Sequence, residues 1–200
     1  MFTLSKPTKA AVAEAVAAAA SMRSTSPRIL PLRQGSGRTV SLSFGFAHDL
    51  KRTTIGEGPE VFAVAKLAFR RWTMFDLGWV RVANPEAAIA EGQMVAVEVH
   101  TLGLWSLNLS RIIEAVDTPA RFGFIYATTE IHVEQGEERF LLEFDATTGE
   151  VCYELEAASH PRNLLARLGF PFTRSCQHRF ANDSHHRMRD TLIAISPQAS

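Results

Sequence analysis

The chain has 200 residues, 46% of them hydrophobic, and its 21 lysine and arginine residues balance 21 aspartate and glutamate residues. A chain of this length and apolar content can bury one substantial core, and no linker rich in proline, glycine or serine divides it. We therefore expect a single domain over residues 1–200, with no overall field that would draw the protein to nucleic acid or to an anionic membrane.

Three features predict a cytoplasmic protein with no membrane span. No apolar run approaches the roughly 18 residues that a spanning helix needs. The alanine-rich segment 10–20 is interrupted by Glu14, unlike the apolar core of a signal peptide. Cys152 and Cys176 each lie far from a second thiol in the sequence, so they indicate small buried hydrophobic residues in a reducing compartment rather than a disulfide framework.

The N-terminal part of the chain predicts a helix and then a strand. Residues 7–22 are dominated by alanine, and Thr8 can serve as the N-cap. Two prolines and two glycines in 24–37 predict an irregular connection. Alternating hydrophobic residues over 39–47 predict the first strand of a sheet, with a possible short strand following at 48–54.

The next part predicts a core-facing helix and a hairpin. Pro59 suits the first helical turn, and the apolar residues after it recur at spacings of three and four. Leu102 and Gly103 separate two alternating segments and so predict a tight turn. The predicted elements are a helix over 59–75, a short strand within 76–83, and two strands over 94–101 and 104–116.

Residues 121–157 predict an antiparallel meander of three strands. Its large apolar residues alternate with small or charged ones, which places most of the charge on the opposite face. Gly136 and Gly149 fall where hairpin turns would require positive φ. The residues expected to face inward are Phe122, Phe124 and Tyr126, then Phe140, Leu142 and Phe144, then Val151, Tyr153 and Leu155.

Beyond residue 158 the hydrophobic period becomes helical. Leucines predict a short helix that Gly169 closes, and Pro171 begins a second, long helix. Six arginines lie between 161 and 192, whereas nine acidic residues and a single basic one lie between 130 and 156. We therefore expect the basic helix to lie on or beside the acidic sheet.

This order of elements predicts an α+β fold. A curved antiparallel sheet of about six or seven strands would pack against a long C-terminal helix. The N-terminal helix and its connection would occupy 1–37, and the sheet and remaining helices 38–200. The arrangement resembles the helix-grip fold of the START/Bet v 1-like (SRPBCC) superfamily, in which sheet and helix enclose an apolar cavity.

The stretch GFIYATTEIHVEQGEERF, residues 123–140, resembles the signature of the DUF1990 (UPF0548) family, approximately GFxYGTLxGHxxxGEExF. It departs from that signature at Ala127, Thr129 and Ile131. Segments before and after it are also similar to the family, so the resemblance covers nearly the whole chain and implies the fold but no activity. The matching residues are Gly123, Phe124, Tyr126, Thr128, His132, Gly136, Glu137, Glu138 and Phe140.

Two groups of residues are candidate ligand contacts. Aromatic residues on the inner face of the meander would line a pocket. His132, Glu137 and Glu138 flank the expected hairpin tip and could transfer protons, or they could form only a solvated turn. Because this loop supplies no third metal ligand, we expect no metal and no cofactor. The predicted pocket-lining residues are Phe124, Tyr126, Phe140, Phe144 and Tyr153.

Other chemistry-bearing residues give weaker signals. His178 and His185 are two helical turns apart and miss the i, i+4 spacing of a metal pair. Cys152 and Ser159 lie in no recognisable nucleophile elbow.

The leading hypothesis is a binding module for an apolar or amphipathic small molecule, held between the sheet and the C-terminal helix. One alternative is an enzyme of the cyclase or hydratase kind, with His132, Glu137 or Tyr126 as acid or base. Another is a protein-interaction domain with a filled core. The sequence leaves the oligomeric state open.

Overall fold

The computed structural model describes residues 2–22, 24, 30, 47–129, 134–161 and 164–195. Residues 39–46 of the strand predicted at 39–47 lie outside these residues, as does the candidate residue His132. The strands are β1 (Phe2–Thr3), β2 (Ala47–Glu57), β3 (Val80–Val82), β4 (Met94–Thr101), β5 (Leu104–Asp117), β6 (Arg121–Thr128), β7 (Glu134–Phe144) and β8 (Glu150–Pro161). The helices are α1 (Lys9–Ala19), α2 (Pro59–Arg70) and α3 (Leu164–Ile195), with a short 3₁₀ helix at Thr73–Phe75.

Seven strands form a curled antiparallel sheet in the order β2-β8-β7-β6-β5-β4-β3, and β1 pairs with β5 beside this path. The two-residue turn between β4 and β5 is the predicted one, with φ of 52° at Leu102 and 77° at Gly103. Both central residues of a type I′ turn need positive φ, and this geometry matches the twist of the strands. The sheet and the long C-terminal helix confirm the predicted helix-grip fold.

The concave face of the sheet carries the main core, and α2 and α3 cover it. The alternation in the meander is confirmed, because the predicted inward residues all lie in or against this core. Phe124 and Phe140 stack with their ring centroids 5.0 Å apart. Burying each such side chain contributes about 1.5 to 3 kcal/mol relative to exposing it.

The helix that begins at Pro59 ends earlier than predicted. It stops at Arg70, because Trp72 adopts the left-handed conformation with φ 58°. The 3₁₀ turn that follows carries Met74 and Phe75 into the core. The apolar residues of the predicted helix are therefore buried in the core, although the backbone is not one continuous helix.

The convex face is also covered. Helix α1, capped by Thr8 as predicted, packs Val12 and Ala19 against β4 and β5. The guanidinium of Arg111 donates to the carbonyl oxygens of Ala19, Ala20 and Met22 at 2.9 to 3.2 Å. A cation suits this site, because the C-terminal end of a helix carries partial negative charge.

Charged residues of the meander lie on the convex face but are buried there. Arg139 contacts both Glu154 and Glu156, and the ring of His48 lies 2.6 Å from a Glu156 carboxylate oxygen. These two glutamates are therefore neutralised within the sheet. On the other face, α3 lies on the sheet as expected, and its arginines pair with Asp49 of β2 and with Asp76.

Two further predictions are wrong. Gly136 does not close a hairpin, since it lies inside β7 and is absent from the residues with positive φ, whereas Gly149 at φ 79° turns the chain as predicted. The terminal helix is not broken at Gly169 and Pro171, because α3 continues through both.

Within the residues that the structure describes, no helix is both long and apolar enough to cross a membrane.

Candidate ligand cavity

A cavity of about 240 Å³ lies on the concave side of the sheet, between β4 to β8 and α3. Its wall has two kinds of residue, and this division sets what the cavity can hold. The apolar part includes Phe75, Trp79, Val97, Val99, Phe172 and Phe180. The polar part includes Ser106, Asn108, Ser110, Thr128, Ser159 and Gln177, with Tyr126 and Glu138 between strands β6 and β7.

Tyr126 and Glu138 form the ionisable pair of this wall. They are direct cross-strand partners on β6 and β7, so both side chains point to the concave face. The Tyr126 hydroxyl donates to a Glu138 carboxylate oxygen at 2.5 Å. Burial, together with the negative charge of Glu138, raises the pKa of Tyr126 well above its ordinary value of 10.0. Tyr126 therefore keeps its proton at neutral pH and donates it to the hydrogen bond.

Gly136 is required by close packing, not by a turn. An added Cβ would lie 2.6 Å from the Ala158 carbonyl oxygen and 3.1 Å from the Cα of Ser159. The Gly136 backbone N–H donates to the hydroxyl of Thr128 at 3.0 Å. Glycine thus lets β7 approach β8 closely where both strands border the cavity.

Strand β5 supplies a row of neutral hydrogen-bonding groups. Ser106, Asn108 and Ser110 occupy alternate positions and therefore share the concave face. The Asn108 amide donates to the Ser106 hydroxyl at 3.3 Å. From α3, the Gln177 amide donates to the Ser159 hydroxyl at 3.4 Å. These hydroxyl and amide groups can exchange their bonds for bonds to a ligand at little net cost.

The structure places the predicted pocket residues in two different environments. Tyr126 lines the cavity, whereas Phe124, Phe140 and Tyr153 are fully buried in the core beside it. Phe144 packs against α2, with its ring centroid 5.9 Å from that of Phe62. Their part in ligand binding stays a prediction.

The predicted polar residues are also separated. Glu138 joins Tyr126 in the cavity wall. Glu137 borders the cavity too, but its carboxylate accepts a hydrogen bond from the Leu30 backbone N–H at 2.8 Å. Successive residues of a strand point to opposite faces, so the Glu137 side chain lies on the convex side. The structure therefore brings Tyr126 and Glu138 together and directs Glu137 away from them.

Most of the polar wall was not predicted from the sequence. Polar residues at 106, 108 and 110 follow the period of two that is typical of a strand. Leu107 and Leu109, on the opposite face of β5, pack against helix α1, so the apolar side of this strand faces away from the cavity. The contribution of Gln177 depends on how α3 packs, which its helical period does not reveal.

The histidines and cysteines that suggested other chemistry lie in separate places. The described part of the chain holds no group of three His, Cys, Asp or Glu residues that could bind a metal ion. Cys152 and Cys176 are free thiols, and Cys152 is buried as predicted, whereas Cys176 is only partly buried. Cys176 lines the cavity, and burial raises the pKa of its thiol, which keeps it protonated and weakly nucleophilic at neutral pH.

A curled sheet wrapped on a long C-terminal helix, with a cavity between them, defines a protein with a helix-grip fold. Residues 34–187 match the family model described as "Domain of unknown function (DUF1990)". The chain belongs to this family, as the resemblance in residues 123–140 implied.

Relatives agree with this assignment, and a solved structure shares the fold. A UPF0548 protein of Dictyostelium discoideum is 35% identical over 154 residues, which cover 72% of this chain and 71% of the relative. A UPF0548 protein of Deinococcus radiodurans is 34% identical over 193 residues, covering 90% and 93% respectively. A crystal structure of a Thermus thermophilus protein superposes with a TM-score of 0.51 at 11% identity, over 76% of this chain and 100% of that chain. At this identity the likeness shows the fold alone.

Proposed function

We propose that this protein binds a small amphipathic molecule in the cavity between the sheet and α3. The observation that carries the proposal is the two-sided wall, with aromatic and aliphatic residues on one part and hydroxyl, amide and carboxylate groups on the other. Ligand sites typically combine a mainly apolar lining with a few placed polar groups that fix orientation. The cytoplasmic location of such a binding module stays a prediction.

The size of the cavity limits the ligand. A protein cavity of roughly 150 Å³ takes up benzene. The cavity here, at about 240 Å³, has room for a somewhat larger group, such as a substituted or fused ring. An apolar ring would contact Phe75 and Phe180, while a polar substituent would reach Tyr126, Glu138 or the hydroxyl groups of β5.

A fluorescence titration with the neutral apolar probe N-phenylnaphthylamine tests the proposal. We expect saturable binding of one probe per chain, with displacement by aromatic or fatty-acid competitors. Ser110→Phe, which places a ring in the cavity from β5, should weaken binding by about tenfold or more, since the remaining space is too small for the three rings of the probe. Thr147→Phe in the exposed β7–β8 turn is the matched control and should bind like the wild type.

A non-saturable signal, or equal probe binding by the wild type and a folded Ser110→Phe variant, would contradict the proposal and favour the filled-core alternative.

The contact between Tyr126 and Glu138 favours catalysis as a second candidate function. A protonated phenol 2.5 Å from a carboxylate, at the edge of a cavity, is an arrangement that can give and take a proton. The acid or base expected from the sequence was His132, Glu137 or Tyr126, and this pair contains Tyr126 with Glu138 beside it. If the protein is an enzyme, Glu138→Gln should keep probe binding but convert a bound compound at least about a hundredfold more slowly. Equal conversion by the folded variant would exclude Glu138 as the acid or base.

A further inference from the structure

Exposed apolar side chains are concentrated where the cavity opens. Phe172 lines the cavity and is 48% exposed, and Thr101, also in its wall, leads directly into the β4–β5 turn. In that turn Leu102 is 84% exposed, and Leu104 follows at 39%. Four of the seven large exposed hydrophobic residues in the described part of the chain lie in this region: Leu4, Leu102, Leu104 and Phe172.

The short strand β1 adds the N-terminal segment to the same surface. Thr3 is the cross-strand partner of Trp105, and Leu4 follows Thr3 directly at the end of β1. Leu4 is 86% exposed. We call the surface formed by Leu4, Leu102, Leu104 and Trp105 the hairpin-tip surface.

This surface is basic as well as apolar. The Lys6 ammonium lies 5.6 Å from the centre of the Trp105 ring, and the ring of His100, the cross-strand partner of Trp105, stacks on that indole with centroids 4.4 Å apart. The two segments that build the surface, 2–9 and 99–106, contain Lys6 and Lys9 and neither aspartate nor glutamate. The neutral charge of the whole chain therefore conceals a local positive patch.

We propose that the hairpin-tip surface docks on anionic phospholipid membranes. Leucines at a turn can enter the boundary between headgroups and acyl chains, and tryptophan favours that depth. Lysines near the surface of an anionic bilayer add about 1 kcal/mol each, or about fivefold in binding. Charge complementarity selects this occupant over another apolar protein face. Docking would also place the opening of the cavity against the bilayer.

Flotation with vesicles tests the proposal on the full chain. One set of vesicles contains phosphatidylcholine alone, and the other contains about one-third phosphatidylglycerol. We expect the wild type to float with the anionic vesicles, and Leu102→Asp to reduce that binding about tenfold. Aspartate tolerates the left-handed conformation of residue 102 better than leucine does, so this variant should fold. Lys6→Gln should reduce binding to the anionic vesicles about fivefold and should not change binding to the phosphatidylcholine vesicles.

Two controls make the result specific. Leu67→Asp makes the same substitution at a leucine on α2 that is 51% exposed, and this variant should float like the wild type. Ser110→Phe blocks the cavity but leaves the hairpin-tip surface intact, so it should also float normally. Vesicle binding and ligand binding can therefore fail independently.

Three results would overturn the proposal. The wild type could fail to float with anionic vesicles, or Leu67→Asp could lose as much binding as Leu102→Asp. In the third result, the wild type does not bind vesicles, sediments as a dimer, and becomes a monomer when Leu102 is replaced by Asp. That result would assign the hairpin-tip surface to contact with a second copy of the chain.

Discussion

At the level of single residues, several residues of the family signature make contacts that join strands β6, β7 and β8 beside the cavity. Gly123 allows β6 to approach β7, since an added Cβ there would lie 2.2 Å from the Phe140 carbonyl oxygen. Thr128 accepts a hydrogen bond from the Gly136 backbone, and Tyr126 donates one to Glu138. These signature residues are therefore explained by the close packing of the strands, and part of the cavity wall forms through that packing.

Gly136→Ala should destabilise the protein by about 1 to 3 kcal/mol, because the new methyl group would overlap the backbone of β8. Urea denaturation of the variant and the wild type measures the difference. Gly149→Ala is the comparison, since residue 149 has positive φ but no atom within 4 Å of an added Cβ. Its cost should be limited to backbone strain of about 1 to 2 kcal/mol.

If Gly136→Ala unfolds at the same urea concentration as the wild type, the close approach of β7 to β8 is not a constraint on residue 136.

The error at Gly136 has a physical cause. Glycine satisfies two different demands, positive φ and the close approach of another backbone, and a sequence does not distinguish them. The neighbouring glutamates favoured a solvated turn, because charged residues are uncommon inside buried strands. Here Glu137 and Glu138 are accommodated by Leu30 and Tyr126, two partners distant in the sequence.

At the level of elements, helix α3 is fixed to the sheet by a polar contact inside an apolar interface. The hydroxyls of Tyr153 and Ser184 are 2.8 Å apart, and the His185 ring stacks on Tyr153 with centroids at 4.3 Å. His185 Nδ1 lies 2.7 Å from the Ala181 carbonyl oxygen. This contact sets how α3 crosses the sheet and therefore how its N-terminal half borders the cavity.

His185 should make stability depend on pH. Burial, aided by the charge of Lys51, lowers the pKa of the folded His185 below its ordinary value of 6.5, although hydrogen bonds to backbone carbonyls oppose this shift. The unfolded chain therefore binds the proton more readily, and protonation favours unfolding. The contribution is fully present above pH 6.5 and is lost as the pH falls from 6.5 toward the folded pKa.

Urea denaturation between about pH 7.5 and about pH 5.5 measures this dependence. His185→Gln should flatten the loss of stability at the acidic end, whereas His186→Gln, one residue away and exposed, should retain the wild-type dependence. Asp49 does not contribute to the change over this pH range. Burial acts to raise the pKa of its carboxyl group, but Arg174 and His178 outweigh that effect and lower the pKa below 3.8. Identical pH curves for the wild type and His185→Gln would exclude His185 as the responsible group.

The type of most elements could be predicted from periodicity, because burial on a sheet or helix imposes periods of two and 3.6. Element ends were harder. Nothing in the sequence around Trp72 signals its positive φ, and α3 continues through Gly169 and Pro171 where local propensity favours a break. Tertiary packing overrides these local preferences.

At the level of the whole molecule, the sheet is covered on both faces. Helices α2 and α3 lie on the concave face, while α1 and Leu30 pack on the convex face. The overall α+β architecture followed from the order of elements, but the cavity wall did not. The contact of Tyr126 with Glu138 depends on strand register, which the hydrophobic pattern alone leaves undetermined. The single-domain organisation over residues 1–200 stays a prediction.

Native mass spectrometry of the purified protein tests ligand binding most directly. We expect the wild type to carry one small molecule per chain, either co-purified or taken up as N-phenylnaphthylamine. The same adduct should be strongly reduced in Ser110→Phe and unchanged in Thr147→Phe. A wild-type protein that shows only its own mass, with and without added probe, would contradict a ligand-binding cavity.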